Sequence, residues 1–476
     1  MIEPERIRSL NVASPPLESS CVLYWMRAAQ RIDANHALFY AAAQAKEHGL
    51  PLAVMFIVDT ARYPGGAQLS WMLDGLRQSA HALRDCGAYF SILKGDEFEA
   101  LTKAASKAAL VVCDSDPSRG ARTVRARLAA RLALPVIEVD GESVIPTAIA
   151  SPKQEWSART FRLKVSGAIG LYLDAPSYGE RQLRSLLARS TGTASCPPAP
   201  RPMDLPPSED GLFDAFGPPP SSFPRSGPAE AKAKLDSFIG ERLHAYERGR
   251  NDPNAHACSG LSPYLRFGQL SPLSAARAAR AQPGPAAAAF LEQLVIRREL
   301  CRNFAWYRPD DYDSWEGLPD WCRRSLEAHG TDRRPYLYAR EQFEAAATHD
   351  PYWNAAQREL LITGSIHGYM RMYWGKMILS WSATPREAFD TAVYLNDRYA
   401  LDGQSPNGWA GVAWCFGLHD RPWPERPVFG TVRAMSAYGL KRKFDADGYV
   451  RAWLGRSGDR ERRVGKECRS RCAPYH

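Results

Sequence analysis

The first part of the chain alternates short apolar runs with amphipathic stretches. Between residues 21 and 140 the apolar runs are CVLYWM, PLAVMFIV, YFSILK, LVVCD and PVIEVD, and helix-like patterns separate them. Apolar strands that alternate with helices are typical of a parallel sheet covered on both faces. We therefore predict a doubly wound, Rossmann-like α/β domain over residues 20–145.

The second half of the chain reads almost wholly as helices from residue 229 onward, with breaks at NDPN, QPGP, RPDDYDSWEGLP, SATP and DGQSPNG. Between the halves, 11 of the 36 prolines fall in the segment from Pro197 to Pro228, which is typical of a surface connection. The predicted fold class is α/β plus all-α. Residues 146–228 form the interdomain linker, residues 229–457 a helical domain, and residues 458–476 a tail outside the fold.

Length and composition limit the class of protein. At 476 residues the chain exceeds what one hydrophobic core usually supports, so two domains are expected. No apolar run approaches the length of a membrane span, and the start MIEPERIRSL lacks the apolar core of a secretory signal. The ten cysteines include no CxxC pair, in a chain too large to need a disulfide framework, so we expect reduced thiols in a cytoplasm. We also expect no metal site and a location in a prokaryotic cytoplasm or nucleoid. The net charge of +9 favours an anionic partner without identifying it.

Tryptophan is concentrated in the helical half, where nine of the 13 lie between Trp306 and Trp423. Trp374 and Trp381 are seven residues apart, so they share one face of a helix, and Trp353 opens the preceding helix. Indoles a few ångströms apart can relay an electron, which aliphatic side chains cannot do. The alternative is that these rings fill a large helical core.

Neither GxGxxG nor GxxxxGK[ST] follows any predicted strand, so the usual nucleotide fingerprints are missing. In the segment YERGRNDPNAHACSGLSP, Ser259 and Ser262 flank backbone amides where a helix starts. Such amides can hold a diphosphate without a P-loop. An ordinary helix cap is the alternative interpretation.

In FLEQLVIRRELCRNFAWY, a carboxyl, an amide and an indole recur at helical spacing. Glu299, Asn303 and Trp306 share one face, while Arg298 and Arg302 point along another. The first face predicts a pocket for a flat heterocycle with carbonyl and NH groups. A solvated charged face is the alternative.

Arg371, Asn396 and Asp402 come from separate elements, and each alone could be a surface residue. An Arg–Asp pair can hold charge near an anionic ring, and an Asn amide can donate to and accept from a ring nitrogen that changes protonation. With the tryptophans, they suggest light-driven or redox chemistry on a flavin. His419 and Asp420 have no GxSxG partner, so we interpret their loop as structural.

Together these motifs resemble the class II cyclobutane pyrimidine dimer photolyases of the photolyase/cryptochrome family. The resemblance covers roughly residues 20–454, from VLYWMRAAQRIDANHAL to KRKFD. Its most specific segments are FLEQLVIRRELCRNF, THDPYWNAAQRELLITGSIHGYMRMYWGKMILSW, YLNDRYALDGQSPNGWAGVAW and GLHDRPWPERPVFG.

The resemblance implies repair of ultraviolet-induced dimers by a light-excited, fully reduced FAD in the helical half. Asn396 would lie next to the flavin ring, and Trp353, Trp374 and Trp381 would reduce the flavin in an order left open. The implied FAD positions are Tyr246, Ser259, Leu261, Ser262, Arg298, Arg371, Asn396 and Asp402. The substrate residues would be Glu299, Met372 and Trp414, joined by Asn303 and Trp306 of the predicted pocket.

The implied partner is double-stranded DNA that carries pyrimidine dimers, bound by a monomer. A dimer pairs and stacks poorly, so flipping it out of the duplex costs less than flipping an intact base. Arg421, Arg433 and residues 441–443 could contact phosphates without reading sequence. An antenna chromophore in the amino-terminal half would be a deazaflavin or a folate, and its presence is left open.

Three positions depart from the family pattern. Gln293 stands where a second Glu is usual, Cys258 where Ser or Thr is frequent, and GTVRAMS where GK and an aromatic are expected. The rival function is a cryptochrome-like photoreceptor that binds FAD without repairing DNA. Glu299, Met372 and Trp414, together with the tryptophan cluster, favour repair.

Overall fold

The computed structural model describes residues 2–63, 66–188 and 205–455. In this part of the chain, six strands form one sheet in the order β1-β6-β5-β2-β3-β4. Their bounds are β1 Ile7–Ser9, β2 Cys21–Trp25, β3 Leu52–Val58, β4 Tyr89–Lys94, β5 Ala108–Asp114 and β6 Val136–Val139. Strands β2 to β6 pair in parallel, whereas β1 pairs with β6 antiparallel.

Alternating side chains of the parallel strands enter two separate cores. In β2, Val22 and Tyr24 face one core, and Leu23 and Trp25 face the other. Helices α1 to α4 cover the two faces; they span His36–Glu47, Ala67–Asp85, Glu97–Ala104 and Arg119–Arg131. The predicted doubly wound α/β fold is therefore confirmed.

The sheet begins earlier than the predicted boundary at residue 20. Strand β1 is its antiparallel edge and pairs Ile7 with Val139. A strand of three residues is too short to show a period in the sequence, and only its pairing with β6 makes it recognisable.

The segment predicted as a linker over residues 146–228 is largely folded. Four short helices occupy its first half: α5 Thr147–Ala150, α6 Ala158–Val165, α7 Ile169–Asp174 and α8 Glu180–Leu187. They bury Phe161, Tyr172 and Leu183 against the sheet core. These residues of the predicted linker are therefore helical, because burial of single apolar side chains orders helices too short to show amphipathic periodicity. Residues 189–204, which include the start of the proline-rich segment, lie outside the described residues, as does the predicted tail.

The rest of the described chain is helical, as the sequence predicts. The first helices of this part are α9 Pro228–Ser237, α10 Leu243–Gly249, α11 Ser262–Arg266, α12 Pro272–Arg280, α13 Pro285–Leu291, α14 Arg298–Tyr307, α15 Asp320–Ala328 and α16 Arg340–Glu344. The later ones are α17 Pro351–Thr363, α18 Gly368–Trp381, α19 Pro385–Tyr399, α20 Pro406–Cys415, α21 Ala437–Lys441 and α22 Ala446–Leu454. None of the helices in the described ranges has the length and apolarity needed to cross a membrane.

The sheet and the helical part meet in direct backbone contact. Gly268 has a φ of 64°, and a Cβ there would lie 1.8 Å from the carbonyl oxygen of Ala28, so only glycine fits. Beside it, the buried guanidinium of Arg31 donates to the Gly268 and Gly141 carbonyls at 2.9 Å each. The two parts are therefore held in one fixed arrangement at this junction.

Helix α14 is fastened to the loop that follows β6. The buried carboxyl group of Glu299 accepts hydrogen bonds from the backbone amides of Val144 and Ile145, the second at 3.3 Å. Arg298 Nη1 donates to the Glu142 carbonyl at 2.9 Å. Burial raises the pKa of Glu299 to about 7.

We predict that Glu299→Gln removes a pH dependence of stability. The folded state holds the Glu299 proton more tightly than the unfolded chain does. The contribution of this proton to the free energy of unfolding is therefore fully present at low pH and is lost as the pH rises through about 7. The loss can reach about 3 kcal/mol. Gln keeps one oxygen to accept from the loop and does not titrate.

Thermal unfolding of both proteins between about pH 5 and 8 tests this. The wild type should lose more stability toward high pH than the variant. Glu359→Gln is a comparison variant: burial also raises the pKa of Glu359 to about 7, away from this interface, so it should remove only its own share of the pH dependence. Parallel curves for wild type and Glu299→Gln would contradict the role assigned to Glu299.

Candidate cofactor and electron-transfer site

Three buried indoles form a row across α17 and α18. The ring centroids of Trp374 and Trp353 are 6.4 Å apart with an interplanar angle of 6°, and those of Trp353 and Trp381 are also 6.4 Å apart. At most 4% of any of these residues is exposed. Trp353 is therefore the middle member, an order that the sequence spacing left open.

Polar partners fix the orientation of these rings. Trp353 Nε1 donates to the carbonyl of Trp374 at 2.9 Å, and Trp374 Nε1 donates to Gln357 Oε1 at 2.8 Å. Gln357 is completely buried. Sequence reasoning missed this residue, although it lies one helical turn after Trp353, where an amide among apolar residues is a signal.

Asp350 sets α17 against α18. Its Oδ1 caps α17 by accepting from the amides of Tyr352 and Trp353 at 2.8 and 3.0 Å. Its Oδ2 accepts from the Tyr373 hydroxyl at 2.5 Å. One carboxylate thus fixes the start of the helix that carries Trp353 relative to the helix that carries Trp374.

Arg371 and Asp402 form a bidentate ion pair, as the sequence suggested. The Nη2–Oδ1 and Nη1–Oδ2 distances are 2.8 and 3.1 Å. Both side chains are half-buried. Arg371 Nε is buried and has no hydrogen-bond partner in the described part of the chain. The Arg371 side chain of this pair therefore still has one N–H donor that the described residues do not use.

Asn396 is held beside this pair by Asp397, which sequence reasoning missed. Asn396 Nδ2 donates to Asp397 Oδ1 at 2.9 Å, and Asp397 also accepts from Trp409 Nε1 at 2.9 Å. Burial raises the pKa of Asp397. Gly408 lets α20 come close, since a Cβ there would lie 2.9 Å from Asn396 Nδ2.

A cleft with an empty volume of about 800 Å³ lies between the sheet and the helical part. Three of the predicted cofactor residues line it: Ser262, Arg298 and Asp402. From the other side it is lined by Arg27 and Asp116, which follow β2 and β5. The cleft thus lies at the carboxyl ends of parallel strands, where α/β proteins commonly bind ligands.

Three other predicted cofactor residues, Tyr246, Ser259 and Leu261, are not among the described residues that line this cleft. Tyr246 is buried among aromatic rings, with its centroid 5.7 Å from Phe238 and 5.5 Å from Phe290. Ser259 Oγ accepts from the amide of buried Leu261 at 3.4 Å. Leu261 and Ser262 thus form the start of α11, and Ser259 caps the turn before it.

The predicted pocket of Glu299, Asn303 and Trp306 is instead an interface. Asn303 Oδ1 accepts from the amide of Glu155 at 2.8 Å, and its Nδ2 donates to the Lys153 carbonyl at 3.0 Å. The Trp306 ring lies under guanidinium groups of the sheet part, 4.7 Å from that of Arg122 and 5.3 Å from that of Arg8. With Glu299 bonded to the loop after β6, the whole stripe faces the α/β part. The three side chains share one helix face, as their i, i+4, i+7 spacing predicts. In this structure that face contacts the α/β part.

Met372 and Trp414, the predicted substrate residues, lie on the neighbouring helices α18 and α20, and both are half-buried. Cys415 Sγ, next to Trp414, lies 3.8 Å from the carbonyl oxygen of Met372. The ammonium group of buried Lys376 is 5.3 Å from the Trp414 ring centre. Burial lowers the pKa of Lys376 to about 8.

Beyond Trp414, cations and indoles alternate in a patch formed by Arg433, Trp423 and Arg421. The Arg433 guanidinium is 5.7 Å from the Trp414 ring and 4.2 Å from that of Trp423, and Arg421 is 5.1 Å from Trp423. Asp420 binds Arg433 Nε at 2.9 Å. We call these three residues the basic–aromatic patch.

The GLHD loop has the structural role expected from the sequence. Asp420 is engaged with Arg433, and His419 Nδ1 lies 3.1 Å from the Trp156 carbonyl oxygen. Burial lowers the pKa of His419 to about 4. Among the described residues, no group of three or more His, Cys, Asp or Glu side chains is arranged to hold a metal ion.

Solved structures with a similar fold support the architecture. A bacterial class III photolyase from Agrobacterium tumefaciens matches with a TM-score of 0.69 at 22% identity, over 92% of this chain and 87% of that chain. A cryptochrome from Synechocystis matches with a TM-score of 0.70 at 16% identity, over 92% and 89% of the two chains. At these identities the likeness shows the fold alone.

Sequence comparison identifies the family. The family model described as DNA photolyase matches residues 22–172. A deoxyribodipyrimidine photo-lyase of Methanothermobacter thermautotrophicus is 42% identical over 462 residues, 94% of this chain and 98% of the relative. One from Oryza sativa subsp. japonica is 38% identical over 94% and 90% of the two chains. With this identity over nearly its whole length, the chain belongs to the DNA photolyase family.

Proposed function

We propose that the protein repairs cyclobutane pyrimidine dimers in DNA under blue light, as a carbon–carbon lyase of the class II photolyase type. The observation that carries this proposal is the row of three buried indoles, whose member Trp374 lies one turn from Arg371 of the Arg371–Asp402 pair on α18. The photolyase family binds FAD, and these residues suit a flavin that is reduced through aromatic side chains.

The Arg371–Asp402 pair, the unpartnered Arg371 Nε and the Asn396 amide fit a flavin ring with its carbonyl and NH edge. When bound and fully reduced, FAD supplies the excited-state electron that splits the dimer. Asn396 would present its amide to the ring, and Asp402 balances the charge of Arg371. Tyr246, Ser259, Leu261, Ser262 and Arg298 would hold the phosphates and the rest of the cofactor.

The relay runs from Trp374 through Trp353 to Trp381. Trp374 is three residues from Arg371 on α18, so it would be the member nearest a flavin held by the Arg371–Asp402 pair. Trp381 lies two turns farther along the same helix, and Trp353 connects the two from α17. Electrons therefore move inward from Trp381 to Trp374.

Met372 and Trp414 form the surface on which the flipped dimer packs. Both remain partly open, unlike the relay tryptophans. Base–aromatic stacking contributes about 1–3 kcal/mol per base, so an indole at this position can hold an extruded dimer. Lys376 places a cation beside the same ring.

Double-stranded DNA is bound through its phosphates, without sequence preference, by a monomer. The basic–aromatic patch provides Arg421 and Arg433 next to Trp414, and residues 441–443 add further cations. An antenna chromophore, if one is bound, would be of deazaflavin or folate type and would lie in the amino-terminal half.

Repair of ultraviolet-damaged DNA by the purified, photoreduced protein tests this function. We expect dimers to disappear under blue light and to persist in darkness. Bound FAD without repair would favour a photoreceptor, and protein that binds no FAD would overturn the proposal.

We predict that Trp353→Phe abolishes photoreduction of bound, oxidised FAD. Phe keeps the buried volume approximately but is much harder to oxidise than Trp, so the middle of the row is interrupted. Repair by the chemically reduced variant should remain. Absorbance of the flavin under blue light, with and without chemical reductant, measures both effects.

Trp315→Phe is the matched control, because Trp315 is equally buried in the same helical core but is not part of the row. It should photoreduce like the wild type. Equal photoreduction in Trp353→Phe and wild type would remove Trp353 from the relay.

We predict that Arg421→Ala weakens DNA binding uniformly across sequences and lowers the slope of log Kd against log salt by about 1. The reason is the loss of one phosphate contact. Titrations of dimer-containing duplexes at several salt concentrations measure the slope. Arg131→Ala, at the exposed end of α4, should leave it unchanged, and an unchanged slope in Arg421→Ala would exclude this residue from the DNA interface.

A further inference from the structure

The loop that carries the basic–aromatic patch is held against the carboxyl end of α15. This loop, residues 421–433, turns back on itself, and Arg426 and Gly430 exchange backbone hydrogen bonds of 2.9 and 2.8 Å. Ser325 Oγ of α15 accepts from the backbone amide and the hydroxyl of Thr431 at 2.8 and 2.9 Å. The three residues of the patch lie near the two ends of the loop, so their positions depend on how this turn is held.

The turn does not follow the backbone preference of its own residues. Val428, midway between Arg426 and Gly430, has a φ of 68°. This left-handed conformation is costly for a β-branched side chain and persists only where surrounding contacts impose it. The Val428 amide donates to Asp332 Oδ2 at 2.8 Å. The loop conformation therefore depends on its contacts with the segment that follows α15.

His329, directly after α15, joins that segment to the loop. Its Nδ1 lies 2.7 Å from Asp332 Oδ2, and its Nε2 lies 2.7 Å from Glu425 Oε1 of the loop. Because ionised carboxylates only accept hydrogen bonds, both ring nitrogens donate and the imidazole carries a positive charge. The hydrogen bonds to Asp332 and Glu425 raise the pKa of His329. We call these two bonds the clamp.

The groups around His329 favour the charged form and still leave it open to water. The bonds from the Val428 amide and from His329 lower the pKa of Asp332, so this carboxylate stays ionised at neutral pH. Arg334 Nη1 donates to the backbone carbonyl of Asp332 at 3.0 Å. The side chains of His329 and Glu425 are 19% and 67% exposed, so the imidazolium can lose its proton to solvent as the pH rises.

We propose that His329 is a positioning residue for DNA binding: its doubly protonated imidazole ties the loop of the basic–aromatic patch to the end of α15. This inference rests on the proposed contact of that patch with DNA. A neutral imidazole keeps one N–H and can donate to only one of the two carboxylates, while its other nitrogen presents a lone pair to an oxygen. One bond of the clamp is then lost, and the strain at Val428 favours release of the loop.

The sign of the pH dependence follows from the raised pKa of His329. The clamp is fully present below the ordinary histidine pKa of about 6.5 and is lost as the pH rises through the higher pKa of the folded protein. A loop held in its binding conformation loses less freedom when DNA binds. Affinity for DNA should therefore be greater in the charged state of His329.

DNA binding by the FAD-loaded full-length protein tests the proposal. The Kd of a dimer-containing duplex is measured between about pH 6 and 9, at an ionic strength of about 0.15 M, for wild type and His329→Gln. We expect the variant to bind about fivefold more weakly at the lowest pH, since partly exposed ion pairs contribute modestly. The ratio of the two Kd values should approach one as the pH rises. His48→Gln, an exposed histidine at the end of α1, should match the wild type at every pH.

Glu425→Gln separates the clamp from simple attraction between charges. This variant removes a negative charge near the proposed DNA surface, so electrostatics alone would strengthen binding. The clamp predicts weaker binding at about pH 6, and the double variant with His329→Gln should be no weaker than either single variant. Tighter binding by Glu425→Gln together with weaker binding by His329→Gln would overturn the proposal.

Hydrogen exchange of the DNA-free protein measures the loop directly. After correction for the intrinsic effect of pH, amides of residues 423–433 should exchange faster in His329→Gln than in the wild type at about pH 6. This difference should disappear at about pH 9, and amides of α17 should exchange equally in both proteins. Equal exchange of the loop at every pH, or a difference that does not change with pH, would overturn the proposal.

The two measurements distinguish this proposal from the function on which it rests. Wild-type protein that binds no dimer-containing DNA would contradict the proposed function itself. Loop exchange that responds to His329→Gln, with DNA affinity unchanged at every pH, would show a clamp that DNA binding does not use. That result would overturn the role of His329 and leave the proposed repair function intact.

Discussion

The fastening of helix α14 to the loop after β6 is the constraint on which the site depends. Glu299 and Asn303 bind the backbone of residues 144, 145, 153 and 155, and Arg298 binds the carbonyl of Glu142. These contacts fix one wall of the interdomain cleft. Because buried backbone amides and carbonyls must be satisfied, the helix cannot shift without breaking several hydrogen bonds together.

Beyond this wall of the cleft, the candidate site depends on how helices α17, α18 and α20 pack. Asp350 caps α17 and binds Tyr373 of α18, which brings Trp353 against Trp374. Gly408 lets α20 approach Asn396, and Asp397 holds that amide in place. The relay and the candidate flavin residues thus share one rigid scaffold.

The cost of burying charge explains the arrangement of the cations. Arg371, inside the site, is neutralised by Asp402, while the Arg421 side chain remains at the surface against Trp423. Lys376 is the exception: it is buried beside Trp414, and burial lowers its pKa to about 8. Its ammonium group binds the Cys415 carbonyl at 2.5 Å, which compensates for part of the lost hydration.

The sequence by itself determined the period of each element, and with it the parallel sheet, the helical half and the shared face of Trp374 and Trp381. These follow from local geometry, since strands repeat every two residues and helices every 3.6. It also indicated the Arg371–Asp402 pair, because side-chain chemistry limits the partners of a guanidinium. Only the tertiary structure decided what each face meets: the stripe of Glu299, Asn303 and Trp306 had the right spacing for a pocket but contacts the α/β part. The order of the tryptophans likewise depends on the packing of distant segments, which periodicity along the chain does not encode.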